Sequence, residues 1–137
     1  GLVIDPYNEL DHTKRDAGVN ETEYVSSFLT TIRKFARENN VHVWLVAHPA
    51  KLQKDKDGNY PIPDGYSVSG SAHFFNKADN IVAIHRSAGS DDTEVHVQKI
   101  RSRWLGKVGM CRLTWSKKSG RFKEWNNEEC SYQNVSI

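Results

Sequence analysis

Apolar residues fall along the 137-residue chain in runs of contrasting period, and the periods divide it into elements. Leu2 to Ile4 is a continuous apolar run stopped by Asp5 and Pro6, the pattern of the end of a parallel strand buried on both faces. Residues 8–20 are polar and contain Gly18, which predicts a loop. Beyond it Tyr24, Phe28, Leu29, Ile32, Phe35 and Ala36 recur at helical spacing, so an amphipathic helix is expected over residues 21–38. Asn20 with Glu23 supplies its cap, and Asn39-Asn40 ends it. Val41 to Ala47 is apolar and rich in β-branched residues, a second buried strand that ends on His48-Pro49. Strand, helix and strand in this order make a βαβ unit with a right-handed crossover.

The period then changes. Residues 51–69 are polar, with Asp57-Gly58, Pro61, Pro63 and Gly65, and a loop of that length is usually functional. Residues 71–78 predict a short helix and residues 80–85 a strand. A turn at 87–92 leads into two alternating runs, 94–100 and 109–115, which read as antiparallel strands, and "KKSG" turns the chain into 121–125. No internal repeat appears. The expectation is an α/β fold in a single domain, 1–137, with a mostly parallel sheet followed by a C-terminal antiparallel β-hairpin.

Composition narrows the class without naming a chemistry. With 37% hydrophobic and 26% charged residues the chain has an ordinary globular balance. No apolar run approaches the roughly 20 residues of a membrane span, and no basic segment leads into an apolar one near residue 1, so a cytoplasmic protein without membrane partners is expected. Cys111 and Cys130 lack CxxC spacing and read as free thiols. No His pair has the helical spacing of a zinc site. The formal charge of +2 hides an asymmetry: residues 98–123 hold nine Lys and Arg and no Asp or Glu. Such a stretch is either a field for phosphates or a solvated hairpin face.

Polar residues at the carboxyl ends of neighbouring parallel strands converge on one crevice, and Asp5 and His48 both stand there. A carboxylate after an apolar strand can hold magnesium through water, although a turn cap explains Asp5 equally well. His48 reads either as a phosphate donor or as a hydrogen-bonded turn residue. Lys99, Arg101 and Arg103 alternate in "VQKIRSRWLGKVG", which places all three on one sheet face. An Arg in such a row can reach a γ-phosphate of a neighbouring subunit, or can merely guard an edge strand.

Taken in order, these segments resemble the RecA-like motor domain of DnaB-type hexameric replicative DNA helicases, in the phage primase-helicase and Twinkle-like branch. "LVIDPYNEL" is similar to the Walker B strand, "VWLVAHPAK" to the strand ending in a phosphate-sensing His, "SGSAHFFNKADNIVAIHR" to the GSA…AD segment and "VQKIRSRWLGKVG" to the K-x-R…G-x-x-G segment. The resemblance covers about residues 1–125 and implies a partial three-layer RecA-like (P-loop NTPase) sandwich. Asp5 would hold the magnesium of ATP through water, and His48 would couple the γ-phosphate to DNA. Lys99 and Arg101 would reach the neighbouring subunit's ATP, with Arg101 or Arg103 as the finger. Residues 51–75, including Lys51, Gly70, Ser71, Ala72 and His73, would face single-stranded DNA in a central channel.

One departure from the family pattern changes what the chain can do. No G-x-x-x-x-G-K-[ST] occurs in it, so the phosphate-loop strand and the catalytic glutamate that follows it in the family are missing. The resemblance therefore implies the C-terminal part of a motor whose parent uses Mg-ATP, with no tight Mg-ATP binding and no ATPase in this chain alone. Its partners would be single-stranded DNA and copies of itself, as a hexameric ring in the parent or a sheet-edge dimer here, in a bacterial or phage-infected cell. The rivals are a non-catalytic single-stranded nucleic-acid-binding module using Trp104 and Trp115, and part of a RecA-type recombinase.

Overall fold

The computed structural model describes residues 1–10, 18, 20–68, 72–87 and 89–125. They gather in two compact units, Gly1–Lys51 with Gly65–Ala78, and Leu52–Asp64 with the chain from Asp79 onward.

The first unit is the βαβ element. Strands β1 (Leu2–Ile4) and β2 (Val43–Leu45) pair in parallel, Leu2 opposite Val43 and Ile4 opposite Leu45. The pairing continues past the ladder, since Val46 N–H donates to Ile4 O at 2.9 Å and Tyr7 N–H to Val46 O at 2.7 Å. The two strands are not buried as expected, since Val3 is 63% and Trp44 57% exposed.

Between the strands runs α1 (Glu21–Glu38), with the bounds its caps dictate. Asn20 Oδ1 accepts the Glu23 N–H at 2.9 Å, satisfying one of the four orphan donors of the first turn. At the other end Asn40 takes a left-handed φ of 49°, a conformation that Asn tolerates better than most residues. Val41 N–H then reaches back to Ala36 O (2.9 Å) and Asn40 N–H to Arg37 O (3.4 Å), the paired bonds of a Schellman motif.

The buried stripe of α1 keeps part of the line expected: Leu29 is nearly buried and Phe28 packs partly beside it, but Val25, outside that line, is fully buried and Phe35, on it, is 40% exposed. Tyr7, on a 3-10 turn (Tyr7–Glu9) just after β1, completes this core with Phe74 of α2 (His73–Lys77). The Tyr7 ring lies 5.2 Å from Phe74, edge to face, and 5.3 Å from Phe28, tilted. These are favoured aromatic geometries. Helix α2 is held to α1 by Lys77, whose ammonium donates to Ser26 O (2.6 Å), Ser26 Oγ (2.8 Å) and Thr30 Oγ1 (2.6 Å).

The second unit corrects the expected sheet. β3 (Asn80–His85), β4 (Asp92–Ile100), β5 (Gly109–Ser116) and β6 (Arg121–Glu124) form one antiparallel sheet in sequence order. Among the described residues, β1–β2 is the parallel pair and the other three pairings are antiparallel, so the sheet is not mostly parallel. The reason is the connection: a parallel neighbour needs a crossover of a dozen or more residues, and only residues 86–91 separate β3 from β4. The "KKSG" turn forms as expected, with Gly120 at φ 62° and its N–H donating to Ser116 O at 2.9 Å.

A bulge sits in this sheet. Ile81 lies opposite Lys99 and Val82 opposite Val97, which leaves Gln98 as the extra residue of β4. Gln98 is anchored there, its Nε2 donating to Pro63 O at 2.7 Å. On one face the register brings together Val82, Ile84, Val95, Val97, Cys111 and Leu113, and on the other His85, Glu94, His96 and Arg112. Buried Thr93 is satisfied by Arg86, which donates to its Oγ1 from Nε at 3.1 Å and Nη2 at 2.9 Å.

Candidate functional site

In the first unit the sheet brings Asp5 and His48 to the same end. Asp5 follows β1 directly and is exposed, and His48 lies three residues beyond β2. The two strand ends are tied across by Asn8, whose Oδ1 accepts the His48 N–H at 2.9 Å. An exposed carboxylate and an exposed imidazole thus stand at the carboxyl end of a parallel pair, where α/β sheets take their ligands. Asn8 carried no sequence signal, because its role depends on a partner 40 residues away.

The loop residues are less gathered. Lys51 is exposed just past an isolated bridge between Pro49 and Val68. Ala72 precedes α2 and makes no side-chain cap, and His73, its first residue, is half-buried. Gly70 and Ser71 lie outside the described residues. Beside this segment Tyr66 and Phe75 stack at 4.2 Å with their planes 17° apart, a pair that neither periodicity nor spacing had marked.

In the second unit the row of cations is broken up. The bulge places Lys99 on the face of Ile81 and away from that of Val97, β4 ends at Ile100, and Arg103 begins a 3-10 turn (Arg103–Leu105). Lys99, Arg101 and Arg103 therefore do not share a strand face. Arg101 is fastened to Asp79 twice, by its backbone N–H to Asp79 O at 2.9 Å and by Nη1 to Asp79 Oδ1 at 3.0 Å. Arg103 is exposed and its guanidinium makes no hydrogen bond or ion pair among the described residues. Next to it Trp104 is 87% and Leu105 79% exposed.

The basic run is also partly neutralised by carboxylates from earlier in the chain. Glu94 takes Arg112 Nη2 at 3.1 Å on Oε1 and His96 Nε2 at 3.0 Å on Oε2, and Lys117 lies 3.6 Å from Asp91. The hydrogen bond from His96, then Arg112, holds the Glu94 carboxyl below its ordinary value of 4.5 against the opposing effect of burial. A carboxylate only accepts, so His96 Nε2 carries the proton in this pair. The unfolded state binds more protons at acid pH, so Glu94 contributes stability that is full above about pH 4.5 and lost as pH falls through its lowered value. Glu94→Gln should accordingly cost about 1–2 kcal/mol at pH 7. In urea melts across pH 3–7 the variant should flatten the acid limb of the stability curve; an unchanged limb would show that Glu94 contributes nothing there.

Over 129 residues, 90% of its length, the chain is 44% identical to the Twinkle homolog protein, chloroplastic/mitochondrial, of Arabidopsis thaliana. It resembles a segment of a Twinkle protein. The chain spans only 18% of that relative, and no family model matches it. Among the described residues, no helix is long and apolar enough to cross a membrane, and no group of three or more His, Cys, Asp or Glu could hold a metal ion. The likeness to a Twinkle protein rests on the sequence match alone.

Proposed function

We propose that this chain is the C-terminal part of the RecA-like ATPase core of a DnaB-type replicative DNA helicase, in a longer protein that hydrolyses Mg-ATP to move along single-stranded DNA and unwind duplex. The 44% identity to a Twinkle homolog across 90% of the chain carries the reading. The shared strand end of Asp5 and His48 supports it.

An exposed carboxylate such as Asp5 suits magnesium, a hard cation that keeps its waters. Bound there, the metal would neutralise charge on the phosphates. The cradle for those phosphates is not among these 137 residues, so Mg-ATP is not expected to bind tightly to them alone. His48, next to the Asn8 tie, is placed to donate to a terminal phosphate and to pass its presence to the loop that begins at Lys51. Lys51, Gly70, Ser71, Ala72 and His73 would line the path of single-stranded DNA.

Between the two candidate fingers the structure favours Arg103. Arg101 would have to give up its ion pair with Asp79 to reach a neighbouring subunit, whereas Arg103 projects from a turn with its charge available. Lys99 would assist from the bulged strand. Assembly would be a hexameric ring in the parent, and the open edges of the two sheets would admit a dimer of this chain. The compartment proposed is the cytoplasm of a bacterial or phage-infected cell, whereas the relative is by name chloroplastic/mitochondrial.

A second reading, a single-stranded nucleic-acid-binding module, is favoured by Trp104, whose 87% exposure leaves its ring face open to a base. Trp115 does not share that role, because it packs edge to face on Phe122 at 4.9 Å. Fluorescence anisotropy of a labelled single-stranded oligonucleotide across salt, with and without Mg-ATP, separates the two. A motor segment is expected to bind weakly and indifferently to Trp104→Ala; a drop of tenfold or more for Trp104→Ala would favour the module.

A further inference from the structure

Each unit leaves an apolar feature open, and the two are opposite in shape and charge. On the second unit the feature is convex. The 3-10 turn Arg103–Leu105 fans three consecutive side chains about 120° apart, and all three are exposed, Trp104 at 87% and Leu105 at 79%. The turn is held in shape: Leu105 N–H donates to Ser102 O at 2.9 Å, and Gly106 lies so close to the end of β4 that a Cβ on it would meet Ile100 Cδ1 at 2.9 Å. A protrusion fixed before it meets a partner loses little entropy on binding. Its charge is positive, from exposed Arg103 and Lys107 in a stretch, residues 98–123, without Asp or Glu.

On the first unit the feature is flat. Val3 and Trp44 stand opposite each other in the β1–β2 ladder, 63% and 57% exposed, and Val46 is 39% exposed. Leu45 packs towards the core of α1, so by alternation its neighbours Trp44 and Val46 face the other way. Parallel strands ordinarily have both faces covered, and this face is uncovered among the described residues. Its charge is negative: Asp5, two residues beyond Val3, is exposed and makes no ion pair among the described residues.

We propose that the Arg103–Leu105 turn of one copy docks on the Val3–Trp44 face of a second copy, with Trp104 and Leu105 as the apolar anchor and Arg103 beside Asp5. The choice of a second copy rests on the assembly proposed above, and charge complementarity sets the seating. Trp and Arg are the side chains that most often anchor interfaces. Because the two surfaces differ, the contact is heterologous and joins copies in a row that closes into a ring or stays open, unlike a dimer formed on sheet edges.

The test is sedimentation velocity of the 137-residue chain without ATP or DNA, carried into the hundreds of micromolar because a contact of few side chains is weak. Trp104→Ser with Leu105→Ser removes the protrusion, and Val3→Thr with Trp44→Thr removes the flat face while keeping residues that favour strands. All four positions are exposed, so both variants should keep the far-UV circular dichroism of wild type. Wild type is expected to gain mass with concentration, and each variant alone to associate about thirtyfold or more weakly. An equimolar mixture of the two should form dimers and nothing larger, since each chain then supplies one intact half of the contact. A wild type that stays monomeric, variants that associate as wild type does, or a mixture that yields no dimers would overturn the proposal. Monomers throughout, with oligo-dT binding about tenfold weaker in the Trp104→Ser, Leu105→Ser chain, would give the turn to nucleic acid instead. Mass is read without nucleotide, so this outcome is separate from that of the motor reading, which turnover tests.

Discussion

On the function proposed above, replacing Arg103 with alanine is expected to lower DNA-stimulated ATP hydrolysis by about a thousandfold or more in a chimera that carries this chain in place of the matching 18% of the Twinkle homolog. The size follows from what an arginine does at a transferring phosphoryl group, where charge spreads over the equatorial oxygens and a delocalised cation stabilises it. Arg103 is exposed and its side chain bonds to nothing among the described residues, so its loss should leave stability within about 0.5 kcal/mol of the parent. Arg101→Ala should behave in the opposite way. It breaks a half-exposed ion pair with Asp79 worth up to about 1 kcal/mol and leaves most of the rate. Steady-state turnover and thermal melts of both variants decide between them. A collapse of turnover in Arg101→Ala with Arg103→Ala near the parent would reassign the finger, and full activity in both would remove it from this chain.

The largest effect on folding should come from Phe74→Ala. Phe74 is 8% exposed, lies edge to face on Tyr7, and belongs to a buried cluster whose other members are Val25, Leu29 and Tyr7 itself. Removing a buried phenyl ring costs about 3–5 kcal/mol, the transfer of its carbons plus the cavity left behind. Marginal stability leaves little reserve against such a loss. Val3→Ala provides the contrast, since Val3 is apolar yet 63% exposed, and should move stability by less than about 0.5 kcal/mol. Urea denaturation followed by far-UV circular dichroism gives both numbers. Equal costs for the two would mean that the cluster around Tyr7 is not the core of the first unit.

What the sequence disclosed and what it withheld divide along local and distant interactions. Helix α1 was readable to the residue because its two ends are set by Asn20 and Asn40, whose bonds close within six residues. The strands were legible as strands because period and β-branching are local as well. Their partners were legible in part: the runs 94–100 and 109–115 read as antiparallel strands and pair so, whereas β3, expected in a mostly parallel sheet, joins them because the short stretch from Arg86 to Asp91 excludes a parallel crossover. At the site, Asp5 and His48 were found because strand ends are visible in the letters. Asn8, Asp79 and Glu94, which fasten His48, Arg101 and Arg112, were missed because each acts across 18 to 40 residues. The alternation that placed three cations on one face failed because β4 ends at Ile100, ahead of Arg101, and Arg103 stands on a 3-10 turn.

Gln98, the extra residue of β4, does not decide which side of the sheet Lys99 takes. Excising it would put Lys99 directly after Val97 and, by simple alternation, still on the side of Ile81, so the deletion would remove the bulge without moving that cation. What the deletion would take away is the bond from Gln98 Nε2 to Pro63 O, so the extra residue contributes a hold on Pro63 and not the facing of the charge beyond it.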